Sequence, residues 1–518
     1  MRNNYKILAD DDSNVSIVFK SLLVGLATGV VTVLYRVTLT YAEEFAFGMY
    51  DFLRSHLALI PLVFAMLCLA AYFVGFLVSK NEMIAGSGIP QLEGILKGNF
   101  RKRKNWLHTL CCKFLGGAIA IGGGLSLGRE GPSIQLGACV AEGLGKKIGK
   151  GSLERRILMA SGASAGLAAA FNAPMAGVIF ALEEIFKYFS PVILLSLMSA
   201  AVASDFVSKQ VFGITPIFNF EITNYIPLNS YWLLIVLGII LGGMGSFYNY
   251  ALIKTKGLYG KLKCLNIKTK IIIPFVMAGI LGLVFPVVLG GGHKVVEELN
   301  LENGIVFLLI IFVFKFIFSM VSFGSGAPGG IFFPLIVMGA AIGAIFAGVS
   351  INYFGIDPEL YNNFIILAMA GYFTAIVRAP ITGIVLIMEM SGSFTNMLPL
   401  TVVAVTAYVV ADLLKSPPIY EALLENLIHN ESDGENTESS KKTVIELVVK
   451  HGSKLGNYQV KNINWPRKSL LVGVKQGDRQ IIPKGDTQIK EGDYLTILTD
   501  VNCESKIKEI LDEMNEPL

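Results

Sequence analysis

Gly-Arg-Glu-Gly-Pro at residues 128–132 places a carboxylate, Glu130, between two strongly apolar stretches, residues 114–127 and 134–144. A carboxylate at the middle of a bilayer costs about 2.5–3.5 kcal/mol or more, so this glutamate is a functional candidate. The flanking glycines open the backbone, and Pro132 suits the first turn of a helix. We therefore predict that Glu130 lies beside unpaired N–H groups, where an anion competes with the carboxylate and a proton releases it.

The composition predicts a polytopic membrane protein. Hydrophobic residues make up 53% of the 518 residues and charged residues only 16%, with a mean hydropathy of +0.60. A soluble chain has about 25% charged residues. Some apolar tracts are long enough to span a bilayer, whereas others are interrupted by Gly and Pro, which indicates irregular backbone inside the protein. The tracts are residues 17–41, 57–78, 106–124, 157–189, 192–206, 232–252, 271–289, 305–323, 331–349, 364–390 and 398–414.

The hydrophobic region contains an internal repeat. Residues 173–178, with Glu183 downstream, match residues 379–384, with Glu389 downstream, at a constant offset of 206. We interpret Glu183 and Glu389 as structural partners at helix ends. The repeat predicts two related membrane halves, each bringing a glycine-rich helix start to a shared centre.

Two lysines belong to the same repeat. Lys113 and residues 130–132 match Lys315 and residues 332–334 at an offset of 202. Each lysine interrupts an apolar run, and we expect both to snorkel or to cap backbone carbonyls rather than to contact a transported substrate.

The chain shows no pattern typical of an enzyme. It has no histidine cluster, zinc motif, phosphate-binding loop or Ser-His-Asp arrangement, and its six cysteines lack metal-binding spacing. A channel or transporter is therefore favoured, and we expect no metal and no cofactor. The basic loop at residues 97–104 predicts the cytoplasmic face rather than a nucleic-acid site.

A small soluble domain follows the hydrophobic region. We predict a membrane domain at residues 1–424, a polar linker at 425–442 and a soluble α+β domain at 443–518. The predicted strands are residues 444–449, 470–474, 480–482 and 494–498, and the closing amphipathic helix is 504–514.

Three further motifs complete the pattern. Gly-Ser-Gly-Ile-Pro at residues 86–90 is on its own a turn at a membrane edge, and Tyr420 an ordinary interfacial tyrosine. The glycine-rich residues 324–334 precede an apolar helix and can aim backbone N–H groups at an anion. With residues 128–132, these motifs occur in the order found in the CLC chloride channel and transporter family, which the chain resembles over residues 17–424.

The resemblance implies an all-α membrane fold and a site. The family fold is a homodimer in which each subunit has its own ion pathway, formed by two inverted repeats of tilted and re-entrant helices. By resemblance, the hydroxyls of Ser87 and Tyr420 and the backbone amides of Ile331 and Phe332 bind chloride. The residues expected to form the backbone of the anion site are Gly86, Gly88, Gly128, Arg129, Gly131 and Gly330.

The resemblance also assigns roles to two glutamates. Glu130 matches the external gate, whose carboxylate competes with chloride, and Glu184 matches the internal glutamate that accepts protons from the cytoplasm. The residues alone do not distinguish Glu184 from its neighbour Glu183. Proton-chloride exchange is the expected function; the alternatives are an uncoupled CLC channel and a ligand sensor whose membrane part is a gate.

The tail resembles a TrkA-C type domain over residues 443–511, through Trp465-Pro466 and residues 482–486 and 491–495. Such domains can dimerise, and some bind small regulatory ligands such as cyclic dinucleotides; a passive dimer-stabilising module is the alternative. This combination implies a multi-pass protein of a prokaryotic plasma membrane, with chloride and protons as ligands and the tail in the cytoplasm.

Overall fold

In the computed structural model, the chain divides into two compact units, Met1–Leu427 and Ile428–Leu518. The structure describes residues 11–100, 105–187, 189–218, 220, 224–262, 265–432, 442–450, 452–453, 455–477, 479–500 and 504–515. Residues 101–104 of the predicted basic loop and residues 433–441 of the predicted linker lie outside these ranges. The last helix of the membrane region continues to Ser432, inside the predicted linker, and the domain boundaries stay a prediction.

The first unit is built from helices. In chain order they are α1 (Asp11–Ser55), α2 (Ile60–Lys80), α3 (Ile89–Lys97), α4 (Trp106–Gly122), α5 (Glu130–Ile148), α6 (Ser152–Phe171), α7 (Pro174–Phe180), α8 (Pro191–Phe212), α9 (Tyr231–Lys261), α10 (Ile267–Lys270), α11 (Ile272–Val284), α12 (His293–Glu297), α13 (Ile305–Gly324), α14 (Phe332–Phe354), α15 (Tyr361–Val377), α16 (Pro380–Ser391), α17 (Met397–Leu413) and α18 (Ile419–Ser432). A π-helical turn, Ala181–Phe186, follows α7 directly.

Many of these helices suit a bilayer. Within the described ranges, eight helices are long and apolar enough to cross a membrane. The helices Trp106–Gly122, Pro380–Ser391 and Met397–Leu413 are apolar but shorter. Because unpaired backbone groups are costly in hydrocarbon, the ends of short helices must be covered by protein or open to a cavity. The fold is therefore the predicted all-α membrane architecture with interrupted helices.

The two halves meet through a reciprocal pair of hydrogen bonds. Gly128 donates its N–H to the carbonyl of Gly330 at 2.7 Å, and Gly330 donates its N–H to the carbonyl of Gly128 at 2.7 Å. The two glycines form an isolated antiparallel bridge, so the segments that lead into α5 and α14 run in opposite directions. The arrangement is that of an inverted repeat, and it brings the starts of α5 and α14 together.

The repeated lysines cap carbonyls, as their positions predict. The buried Lys113 donates from Nζ to the carbonyls of Ile84 at 2.9 Å and Gly86 at 2.6 Å. The buried Lys315 donates to Val288 at 3.0 Å and Gly290 at 2.8 Å. Each lysine therefore fixes the loop that precedes a short helix in its own half.

The repeated helix breaks have a local cause. α6 and α15 end at Asn172 and Arg378, which adopt φ angles of 51° and 69°. An Ala-Pro pair follows each break, and Pro174 and Pro380 begin α7 and α16. Proline is preorganised for the first turn of a helix and lacks the N–H that would be unpaired there, so the new helix starts at this residue.

From Lys442 onward, the described residues of the second unit form a four-stranded antiparallel sheet and one α-helix. The strands are β1 (Lys442–Val448), β2 (Ser469–Gln476), β3 (Arg479–Ile481) and β4 (Tyr494–Asp500), and the helix is α19 (Glu504–Met514). The sheet order is β1-β4-β2-β3, and α19 packs through Ile507 and Leu511 onto a core that includes Ile497. The predicted α+β class and its elements are confirmed, with end shifts of one or two residues.

Candidate functional site

Three helix starts converge at the centre of the first unit. The Gly128–Gly330 bridge joins the starts of α5 and α14, and Gly329 donates its N–H to the carbonyl of Gly86 at 3.0 Å, ahead of α3. A Cβ at Gly131 would lie 2.8 Å from the Cβ of Ser87, so α5 begins directly against this serine. Helix starts carry unpaired N–H groups and partial positive charge, which attract anions.

Glycine is required by the geometry of these loops. Gly86 and Gly88 have φ angles of 63° and 88°, in the left-handed region that favours glycine. A Cβ at Gly128 would lie 2.5 Å from Oε2 of Glu130 and 3.2 Å from the backbone N of Phe333. The carboxylate therefore uses the space that a side chain at residue 128 would fill, next to the first turn of α14.

Glu130 is a fully buried carboxylate that lies against the first turn of α14. It is the first residue of α5, and neither of its oxygens has a partner among the described residues. The Nε of Arg129 lies 3.8 Å from Oε1, beyond hydrogen-bonding distance. Because buried polar groups are almost always satisfied, an unsatisfied carboxylate at a helix start calls for a functional explanation.

Ser87 retains a hydroxyl donor, unlike the serine of the similar sequence Gly-Ser-Gly-Ala-Pro at residues 324–328. In Gly-Ser-Gly-Ile-Pro, the Ser87 Oγ accepts from the N–H of Ile89 at 3.4 Å, and its own hydrogen has no acceptor in the described part of the chain. In the similar sequence at residues 324–328, the Ser325 hydroxyl donates to the carbonyl of Ser322 at 2.7 Å. Only the first of these two hydroxyls is available to donate to an anion.

Tyr420 lies near the start of α18, fully buried, and its hydroxyl has no partner in the described ranges. Leu424 of the same helix packs against α3, where a Cβ at Gly94 would lie 3.0 Å from its Cδ1. The helix that follows Ser87 and the helix that carries Tyr420 are thus in contact.

The start of α14 is fixed by aromatic packing. The ring of Phe332 lies 5.5 Å from the ring of Phe171, 5.9 Å from Phe180 and 4.7 Å from Phe373, measured between centroids. Ile331 is buried and accepts the first helical bond, from the N–H of Leu335 at 2.9 Å. This packing holds the backbone of residues 331 and 332 rigidly at the helix start.

Glu184 lies in the π-helical turn after α7. Its side chain is buried, and Oε1 has no partner among the residues that the structure describes. Lys187 ends the turn and forms an ion pair with Glu421 of α18, and its Nζ lies 3.9 Å from Oε1 of Glu93 of α3. Glu184 is therefore beside a cluster of charged side chains that joins three elements.

Glu183 has the opposite environment. Its Oε1 accepts from the N–H of Ile381 at 3.2 Å, and its Oε2 accepts from the N–H and hydroxyl of Thr382 at 2.8 and 2.7 Å. In return, Glu389 accepts from the N–H groups of Met175 at 3.1 Å and Ala176 at 2.8 Å. Each glutamate caps the helix start of the other half, which confirms their interpretation as structural partners.

Two residues near Glu130 were not predicted from the sequence. Glu43 of α1 and His293 of α12 line a recess that also contains Arg129 and Glu130. Oε1 of Glu43 accepts from the N–H of Gly291 at 3.3 Å, and the ring of His293 lies 4.3 Å from that of Phe333. The sequence feature that could have located them is the glycine run at residues 290–292, where Lys315 caps the Gly290 carbonyl as Lys113 caps that of Gly86.

Comparison with known families agrees with this geometry. Residues 70–412 match the sequence model of the family described as voltage gated chloride channel. The chain belongs to this family. Residues 444–512 match the TrkA-C domain, so the tail is of the predicted type.

Similar proteins include transporters named for proton-chloride exchange. The H(+)/Cl(-) exchange transporter ClcA of Salmonella paratyphi A (strain ATCC 9150 / SARB42) is 33% identical over 430 residues, covering 81% of this chain and 90% of that transporter. A solved structure, described as a slow cyanobacterial Cl−/H+ antiporter, has a TM-score of 0.73 at 31% identity and covers 80% of this chain and 99% of that chain. A eukaryotic CLC transporter has a TM-score of 0.67 at 21% identity, covers 80% of this chain and 74% of that chain, and shows the fold alone.

Proposed function

We propose that this chain is a secondary active antiporter that exchanges chloride for protons across the membrane. The observation that carries the proposal is a pair of buried glutamates, Glu130 and Glu184, with carboxylate oxygens that lack hydrogen bonds in the described ranges. A channel needs an open path for anions, but coupled exchange also needs groups that take up and release protons. The names of the similar transporters support the same reaction.

Glu130 is proposed as the external gate. As a carboxylate it is stabilised by the partial positive charge at the starts of α5 and α14, the same charge that attracts chloride. When protonated it loses this attraction and leaves the position to an anion. Because its charged and neutral forms favour different positions, proton binding and chloride binding become linked.

The chloride site is proposed to consist of donors from three places. The Ser87 hydrogen and the Tyr420 hydroxyl lack acceptors in the described part of the chain, and both can donate to an anion. The backbone amides of Ile331 and Phe332 lie at the start of α14 and add two further donors. All four of these donors are neutral, and neutral donors suit an anion that must be released as well as bound.

Glu184 is proposed as the internal proton acceptor. It lies in the same turn as Lys187, which contacts Glu93 and Glu421 at the charged cluster. Such a cluster attracts water, and water connects a buried carboxyl to the solution. Protons then reach Glu184 by a route that chloride does not use.

The chain is further proposed to act as a homodimer in a prokaryotic plasma membrane, with its TrkA-C unit in the cytoplasm. The basic loop at residues 97–104 supports this orientation of the membrane region, because cytoplasmic loops carry an excess of Lys and Arg. A small ligand bound by the TrkA-C unit would regulate transport if it favoured one transport state.

The proposal is tested with the purified full-length protein in liposomes. The liposomes contain high chloride and are diluted into low chloride at equal pH on both sides. Chloride leaving through an antiporter must drive protons into the liposomes, which a pH electrode records as alkalinisation of the medium. Chloride release without proton uptake, relative to liposomes without protein, would instead establish an uncoupled channel.

A further inference from the structure

We infer that the first unit binds one anionic phospholipid in a cleft between the end of α3, the end of α5 and the start of α6, here called the basic cleft. Its basic side chains are Lys146, Arg155 and Arg156, and its apolar ones are Ile95, Leu96 and Met159. With its open mouth the basic cleft has a volume of about 680 Å³.

One side of the cleft is suited to a phosphate. Lys146, Arg155 and Arg156 are exposed, and Glu142, which pairs with Lys146 at 3.0 Å, is the acidic residue of the lining. The Nε of Arg155 donates to the carbonyl of Gly151 at 3.3 Å, while Arg156 has no ion pair or hydrogen bond within the described ranges. The cationic groups therefore exceed the carboxylate in number, and one guanidinium is fully available.

The other side of the cleft is apolar and continues inward. A second cavity shares Ile95, Glu142 and Met159 with the basic cleft and extends to Leu92 and Trp106. Trp106 packs against α5 at Gly143, where a Cβ would lie 2.6 Å from the indole ring. Gly143 thus provides room for a tryptophan at the start of α4, the position in which this residue anchors a helix at a membrane surface.

The cleft lies beside a helix that faces lipid. Leu107 and Leu115 of α4 are 49% and 50% exposed, although α4 is an apolar helix of the membrane region. Lys97, Lys147 and Lys150 are exposed at the ends of the neighbouring helices, so this is the face that the positive-inside rule assigns to the cytoplasm. Anionic lipid head groups are present at that surface.

An anionic phospholipid fits both sides of the cleft at once. A free phosphate would use the basic residues but leave the apolar wall uncovered, and a neutral lipid would leave the cationic groups without a counter-charge. Each Lys or Arg near an anionic bilayer contributes roughly 1 kcal/mol to binding, which is about fivefold in affinity.

The inference is tested by native mass spectrometry of the full-length protein released from phosphatidylcholine nanodiscs that contain increasing phosphatidylglycerol. We expect one retained phosphatidylglycerol per subunit, about fivefold weaker binding for Arg156→Gln, and about 30-fold weaker binding for Arg155→Gln/Arg156→Gln. Lys147→Gln is the matched control, because Lys147 is exposed one residue from Lys146 but does not line the cleft. Its binding should stay within twofold of the wild type.

Two further measurements identify the occupant. Leu96→Trp fills the apolar side without changing the charge and should reduce phosphatidylglycerol retention, whereas inorganic phosphate or glycerol phosphate at high concentration should not displace the lipid. Displacement by inorganic phosphate would show a free-anion site. The inference would be overturned by that result or by equal retention of phosphatidylcholine. It would also be overturned if Lys147→Gln and Arg156→Gln lost phosphatidylglycerol binding to the same extent. Unchanged thermal unfolding of the variants in phosphatidylcholine excludes misfolding as the cause.

Discussion

At the crossing of α7 and α16, two glutamates have a full set of hydrogen-bond donors, whereas the glutamate at the start of α5 and the second glutamate of the π-helical turn, Glu184, do not. Glu183 and Glu389 each accept two backbone N–H groups from the opposite half. Neither oxygen of Glu130 has a donor in hydrogen-bonding geometry, although Arg129 forms an ion pair with Oε1 at 3.8 Å, and Glu184 has no donor for Oε1, within the described ranges. The contrast separates glutamates that hold the fold from glutamates that are able to change partners.

The contrast is sharpest between neighbours in the chain. Glu183 and Glu184 follow each other in the same π-helical turn, so their side chains point in different directions. One reaches across to α16 and the other is buried beside the Lys187 cluster. Adjacent residues of the same type thus serve as an internal control for each other.

The largest effect is expected from the external gate. Glu130→Gln should reduce chloride-driven proton movement to the level of protein-free liposomes, because an amide carries no proton across. Glu130→Ala should do the same and should leave passive chloride flow, since the side chain that competes with chloride is gone. The measurement is paired recording of chloride and proton flux; undiminished proton uptake in either variant would remove Glu130 from the mechanism.

Substitution in the structural pair, Glu183 and Glu389, should lower the stability of the fold rather than change proton coupling. Glu389→Ala leaves the N–H groups of Met175 and Ala176 without their acceptor and should lower the free energy of unfolding by about 2–3 kcal/mol. The expected readout is a melting temperature lowered by several degrees in mild detergent. Glu184→Ala is the comparison variant and should melt close to the wild type. If the two variants lost equal stability, the division between satisfied and unsatisfied glutamates would not hold.

A smaller effect is expected at the chloride site. Ser87→Pro removes the hydroxyl donor and should raise the ratio of nitrate to chloride transport by about tenfold, since a hydrogen bond to a charged group is worth about 1.5 kcal/mol or more. Flux assays with each anion as the sole permeant ion measure this ratio.

Alanine variants supply the control for that assay. Ser87→Ala should also shift the ratio, but Ser325→Ala should not, because the Ser325 hydroxyl already donates to Ser322. An unchanged ratio in Ser87→Pro would mean that Ser87 does not contact the central anion.

The smallest effect is expected from removing the second unit. Deletion of residues 439–518 should leave a dimer with chloride and proton flux near the full-length values, because Glu130, Glu184 and their surroundings all belong to the first unit. Mass measurement in mild detergent determines the oligomeric state. A truncated protein that is cleanly monomeric would make the TrkA-C unit the main support of the dimer.

Much of this architecture was predictable from local sequence. The constant offset between residues 128–132 and 330–334 predicted that the two segments meet at a shared centre. In the structure, the bridge between Gly128 and Gly330 joins them. The strands of the second unit followed from their alternating pattern and turns. The break at Asn172 lies within a tract that hydropathy alone reads as continuous, although the Ala-Pro pair marks it.

Other features depend on contacts between distant residues. Glu183 binds Thr382, and Glu43 binds Gly291, across separations that no local pattern encodes. The sequence therefore left Glu183 and Glu184 undistinguished, because their difference is in the partners that the fold supplies. The same holds for the basic cleft, which combines α3 with the start of α6.

The most direct test of the central claim is the ratio of protons to chloride ions transported by Glu183→Gln and Glu184→Gln, measured side by side in the same liposome preparation. Glutamine at residue 183 keeps a carbonyl oxygen for the N–H groups of α16, so this variant should retain the wild-type ratio. Glutamine at residue 184 carries no transferable proton, so this variant should move chloride with proton uptake at background. A wild-type ratio in Glu184→Gln, or lost coupling in Glu183→Gln alone, would contradict the account.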